Sequence, residues 1–114
     1  MRSSGKASPP GIVEHIVDVL QALGPVECQR FFGGWGLRLH GKQFAMVTRG
    51  EDLYFSVDAV LREELIAAGC APFSFMKVKG LAVAEKLYSA PQGCIDDADE
   101  LRLWTAKAIR AAGV

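Results

Sequence analysis

No stretch of this chain approaches the ~20 consecutive apolar residues that a membrane-spanning helix requires, so a spanning protein is excluded as an expectation. Cysteine is scarce. Cys28, Cys70 and Cys94 are an odd number, lie far apart and form no C-x-x-C pair, which fits a reduced cytosolic protein better than a disulfide-built secreted one. There is no surplus of positive charge either: 13 Lys and Arg are matched by 13 Asp and Glu. Sequence-independent nucleic-acid binding draws on such a surplus to displace counterions, and no helix-turn-helix pattern stands in for it, so direct nucleic-acid binding is not expected. The expected setting is a reducing cytoplasm.

What is present suits one small folded domain. At 114 residues and 50% hydrophobic content, the chain has room for one core, burying roughly 65% of the surface its unfolded form exposes. Met1 to Pro10 carries Arg2 and Lys6 but no apolar run after them, so residues 1–10 read as a flexible N-terminal arm and not a signal peptide. Residues 11–114 read as a single domain.

Ser8, Pro9 and Pro10 look like a helix start. Ile12, Val13, Ile16, Val17, Leu20 and Leu23 then recur at helical spacing until Gly24 and Pro25 end the helix. From Val26 to Val57 the period becomes two. A strand from Val26 to Phe32 is followed by a meander turning at His40-Gly41 and at Arg49 to Asp52. Its expected apolar face carries Trp35, Leu37, Leu39, Phe44, Met46, Leu53, Phe55 and Val57. Asp58 caps a second helix over Ala59 to Ala68, stopped by Gly69. A hairpin follows, Phe75 to Lys79 and Leu81 to Tyr88, turning at Gly80. Asp97 with Glu100 makes an acidic capping box for a third helix that buries Leu101, Trp104, Ala108 and Ala111. The expected architecture is α+β and two-layered, with an antiparallel sheet of about six strands and helices packed on it, in the order α-β-β-β-β-α-β-β-α.

Several motifs follow one another in a specific order. Gln29-Arg30-Phe31-Phe32-Gly33-Gly34-Trp35-Gly36-Leu37 resembles the Arg-x-Met-Phe-Gly-Gly-x-Gly signature of the TfoX N-terminal domain family, with Phe31 in place of the usual Met. Gly41-Lys42-x-Phe44-Ala45, Leu53-Tyr54-x-x-Val57-Asp58, Pro72-Phe73-x-Phe75, Tyr88-x-x-Pro91 and Asp99-Glu100-Leu101-x-x-Trp104 continue the likeness over about residues 12 to 112. The resemblance implies a two-layer α+β fold and a non-enzymatic role in transcriptional control through protein contacts, with a protein partner from the transcription machinery or a regulator, or a second copy. Because the sequence stops at Val114, the second domain of full-length competence regulators is expected to be missing.

Each candidate site has a plain structural reading beside it. Gly33-Gly34-Trp35-Gly36 could cradle a phosphate, but a strand follows where a Walker-type loop needs a helix, so the glycines are expected to permit a bulge or bend. The three cysteines with His15 or His40 could supply a nucleophile and base, yet no spacing brings them together and core or surface roles are expected. No two Cys or His residues sit at i, i+3 or i+4, so no metal and no cofactor are expected. Asp96, Asp97, Asp99 and Glu100 suit a helix N-terminus better than a cation. The hairpin at Gly80 places Phe75, Lys77 and Lys79 opposite Ala82, Ala84, Lys86 and Tyr88, with Met76, Val78, Val83 and Leu87 on the expected core face. Lys77, Lys79, Lys86 and Tyr88 are the candidate binding residues. They would serve a partner or, alternatively, a nucleotide or other small phosphorylated ligand; the plainer reading is that the lysines keep a sheet edge solvated.

Overall fold

The computed structural model describes residues 11–31 and 33–113. The arm, Ser8 to Pro10 as a helix start, and Phe32 lie outside the described residues. Among the described residues three α-helices, α1 (Gly11–Leu20), α2 (Ala59–Ala67) and α3 (Ala98–Ala111), accompany six strands: β1 (Glu27–Phe31), β2 (Gly34–Leu39), β3 (Lys42–Val47), β4 (Leu53–Ser56), β5 (Pro72–Lys77) and β6 (Gly80–Ser89). The strands form one antiparallel sheet in the spatial order β1-β2-β3-β4-β6-β5. The α+β class, the strand number and the order of elements follow the expectation. Among the described residues no helix is long and apolar enough to cross a membrane.

One cluster joins the two layers. Val13, Ile16 and Leu20 of α1, Leu61 and Leu65 of α2, and Leu101 and Ala108 of α3 meet Leu37, Leu39, Phe44, Ala45, Val47, Leu53, Phe55 and Tyr88 of the sheet. Helical spacing on one side and strand alternation on the other put these groups in contact. The first helix is shorter than its apolar stripe: regular α-geometry ends at Leu20, and Gln21–Leu23 tighten into a 3-10 turn before Gly24 at φ 139°. At its other end α3 is capped as expected, since the Asp97 carboxylate accepts from the N–H groups of Asp99 and Glu100. The box is only half made, because Glu100 accepts instead from the Trp104 indole N–H at 3.3 Å. Asp58 caps α2 by accepting from the Leu61 N–H at 2.8 Å.

Two expectations about faces are overturned. Between β2 and β3 the register shifts: Leu37 pairs with Ala45 and Arg38 with Gln43, leaving Phe44 as an inserted residue. A bulge of this kind sets two residues against one and reverses the alternation beyond it. Phe44, Ala45 and Val47 therefore all enter the core, whereas Met46 faces the other side, opposite Gly36 and Tyr54. A second irregularity lies between β5 and β6, where Pro72 pairs with Tyr88 but Phe73 with Ala84. Tyr88 consequently belongs to the core, while Met76, Val78 and Val83, expected to be buried, are exposed.

Candidate functional site

The glycine segment is explained by packing. Gly33, at φ 80°, makes the turn from β1 to β2. A Cβ on Gly34 would lie 2.2 Å from the Val47 carbonyl oxygen, and one on Gly36 would lie 2.4 Å from the Gln43 side-chain oxygen. The bend expected between the first two strands falls at Gly33, whereas Gly34 and Gly36 let β2 lie close to β3. The Arg30 guanidinium rests 5.6 Å from the Trp35 ring centre on the helix-facing side.

The thiols are poor nucleophiles. Burial pushes the Cys94 thiol from 9.0 up to about 11, reinforced by Glu100, Asp97 and Cys70. Burial also raises Cys28, with Glu14 adding to it against a backbone hydrogen bond, and raises Cys70 against a hydrogen bond from Ser89. All three therefore stay protonated at neutral pH. His15 is exposed on α1, and His40 occupies the β2–β3 turn at φ 52°. Among the described residues no hydrogen bond joins either histidine to a cysteine, and no three His, Cys, Asp or Glu side chains converge as a metal site. In the acidic cluster Asp97 caps α3, Asp99 pairs with Arg102 at 3.3 Å, and Glu100 holds Trp104.

The predicted lysine face is divided. Lys77 and Lys79 sit at the exposed tip of the β5–β6 hairpin, with the Lys77 ammonium 5.9 Å from the Phe75 ring centre. Lys86 lies roughly 20 Å further along β6 at ~3.3 Å per residue, in a shallow hollow shared with Lys42, Ser56 and Asp58. Tyr88 is buried among core residues. The two tip lysines are brought together; Lys86 and Tyr88 are not brought to them.

What the hairpin does present is apolar surface on both sides. On the side away from the helices, Phe73, Phe75, Ala84 and Leu87 line a cavity of about 360 Å³. Phe73 stacks on Phe75 at 5.6 Å and meets Tyr54 edge-on at 5.1 Å. On the other side Met76 pairs with Leu81 and Ser74 with Val83, and Met76 and Leu81 are 75% and 67% exposed. Val78, in the turn, is fully exposed. Among the described residues, five of the eight exposed large hydrophobic side chains, Phe75, Met76, Val78, Leu81 and Val83, fall on this hairpin. Met76, Leu81 and Val83 form a patch on one face, bordered by Val78 at the tip, with Phe75 on the opposite face, and patches of this kind mark contact sites more often than scattered apolar residues do. Sequence reasoning missed it by assigning the Met76–Val78–Val83 row to the core. The available signal was the shortness of the preceding helix, too short to cover such a row.

The chain matches the family model described as the TfoX N-terminal domain over residues 18–112, from within α1 to the end of α3. No curated protein matches it.

Proposed function

Since this chain belongs to the TfoX N-terminal domain family, we propose that it is a non-enzymatic regulatory domain that acts through protein contacts in the control of transcription. Its contact surface is the β5–β6 hairpin. The observation that carries this reading is the gathering of Phe75, Met76, Val78, Leu81 and Val83 in solvent at one end of the sheet. Leaving that much apolar surface in water is unfavourable by ~25 cal/mol per Å², and a partner that covers it recovers the term. The three unpaired thiols fit a reducing cytoplasm. A ligand reading has only Lys77 and Lys79 to draw on at the tip, because Tyr88 is buried and Lys86 is remote.

The test is a transcript comparison between cells lacking the protein, cells carrying it, and cells carrying Met76→Asp/Leu81→Asp. Both positions are exposed, so the variant keeps its fold, which circular dichroism checks. The expected result is that the wild-type chain restores the transcript pattern and the variant does not. Full restoration by the folded variant would remove the hairpin as the contact surface.

A further inference from the structure

We infer that the chain binds an amphipathic anion, an alkyl chain with a negatively charged head group, along the side of the sheet that faces away from the helices. The inference begins with two hollows that share a wall. The apolar one, about 360 Å³ and lined by Phe73, Phe75, Ala84 and Leu87, falls within the size range of small-ligand pockets. The second, about 500 Å³, lies where β3 begins and β4 ends. Lys42, Ser56 and Lys86 border it, and so again does Leu87.

Strand register puts the apolar walls on one side. Phe55 belongs to the core, so Tyr54 and Ser56 point the other way, and Leu87 pairs with Ser56. Phe73 meets the Tyr54 ring at 5.1 Å, and Phe75 and Ala84 share its face. The helices pack against the opposite face, so this row stays accessible. Leu87 is the joint, with the apolar hollow on one side of it and the lysines on the other. From Ala82, opposite Phe75, to Lys86 is four residues of β6, or about 13 Å. That span suits an extended chain better than a compact ring.

Charge fixes the sign of the head group. Among the described residues neither the Lys42 nor the Lys86 ammonium forms an ion pair. The carboxylate that borders their hollow, Asp58, is already held as the cap of α2 by the Leu61 N–H. The end of α3 reaches the same hollow at Ala111 and Ala112, and the carbonyls of Ala108 and Arg110 there accept from the N–H groups of Ala112 and Gly113. Two free ammoniums therefore face one engaged carboxylate. The walls of the apolar hollow carry no charge, so the charge of a ligand lying across Leu87 belongs at the lysine end.

Titration of the intact chain with octanoate, followed through amide chemical shifts, tests the proposal. The expected result is saturable movement of the Phe75, Ala84 and Leu87 amides together with those of Lys42 and Lys86. Decanoate should bind more tightly, by about fourfold for each added methylene, and octylammonium should not bind. Ala84→Trp fills the apolar hollow and should abolish the shifts, with circular dichroism checking that the variant folds. Lys42 and Lys86 are exposed, and Lys42→Glu/Lys86→Glu should weaken octanoate by about tenfold while leaving octanol unchanged. The absence of any shift at millimolar octanoate and decanoate overturns the inference. So does binding that octylammonium matches, or that either folded variant leaves unaltered. The site lies on the face opposite Met76, Leu81 and Val83, so these outcomes are independent of the transcript test.

Discussion

Two hairpins of the same sheet carry similar apolar side chains and meet opposite fates. In β3–β4, Phe44, Ala45, Val47 and Phe55 have no solvent exposure, and α3 lies across both strands. In β5–β6, Met76, Val78, Leu81 and Val83 stand in water. Composition does not separate the two; the length of the covering helix does. α3 has 14 residues and spans ~21 Å at 1.5 Å per residue, enough to cross the meander. α2 has nine residues and reaches only ~14 Å, whereas β6 has ten and extends ~33 Å. The hairpin outruns its cover.

The largest effect that would sharpen this contrast is on stability. Phe55→Ala removes a side chain with no exposure from the centre of the cluster and should cost about 3–5 kcal/mol. Val78→Ala, at the exposed tip, should stay within about 0.5 kcal/mol. Urea denaturation of the two variants measures both. Equal losses would mean that the hairpin is packed in the isolated chain, and the distinction between the strands would fall.

The same contrast explains what could be read in the amino-acid sequence and what could not. Element order, the His40-Gly41 turn and the Asp58 and Asp97 caps are local, set by neighbours within a few residues, and all were legible. The bulge at Phe44 was not, because alternation from Phe44 to Met46 looks the same whether or not Phe44 has a partner. One unpaired residue there moves Met46 to the far face and Val47 into the core. The face of the hairpin was lost for a related reason. The Met76–Val78–Val83 row shows apolar periodicity, but periodicity records that a face would gain from burial and says nothing of whether any element reaches it. Tyr88 was assigned to the lysine face because the irregularity opposite Pro72 and Phe73 left no mark in the spacing.

A second prediction compares two cysteines on either side of that boundary. Cys94 is enclosed beside the meander, and its thiol is raised from 9.0 to about 11 by burial and by Glu100 and Asp97. Cys70, half-buried just before the hairpin, is raised by burial against a hydrogen bond from Ser89. A thiol held above its ordinary value keeps its proton in the folded chain when the unfolded chain has lost it. Stability is therefore fully present below pH 9 and falls as pH rises towards 11. For Cys94 the loss should be about 2 kcal/mol across that window. Cys94→Ala should flatten the alkaline limb of a stability–pH curve, whereas Cys70→Ala should leave most of it. An alkaline limb unchanged by Cys94→Ala would show that the enclosed thiol does not control it.

The smallest expected effect bears most directly on cover. Asp97 satisfies two of the orphan N–H groups at the start of α3, those of Asp99 and Glu100, and Asp97→Ala should cost about 1 kcal/mol. Glu100 cannot take over the cap while it holds the Trp104 indole. The loss falls on the helix that shields β3 and β4, so amide hydrogen exchange should quicken there by roughly fivefold, since 1.4 kcal/mol corresponds to tenfold. The amides at the tip of β5 and β6 exchange through local openings that do not require α3 to leave, and their rates should hold. A uniform acceleration over all six strands would instead mean that hairpin and meander open as one unit, with helix cover irrelevant to the difference between them.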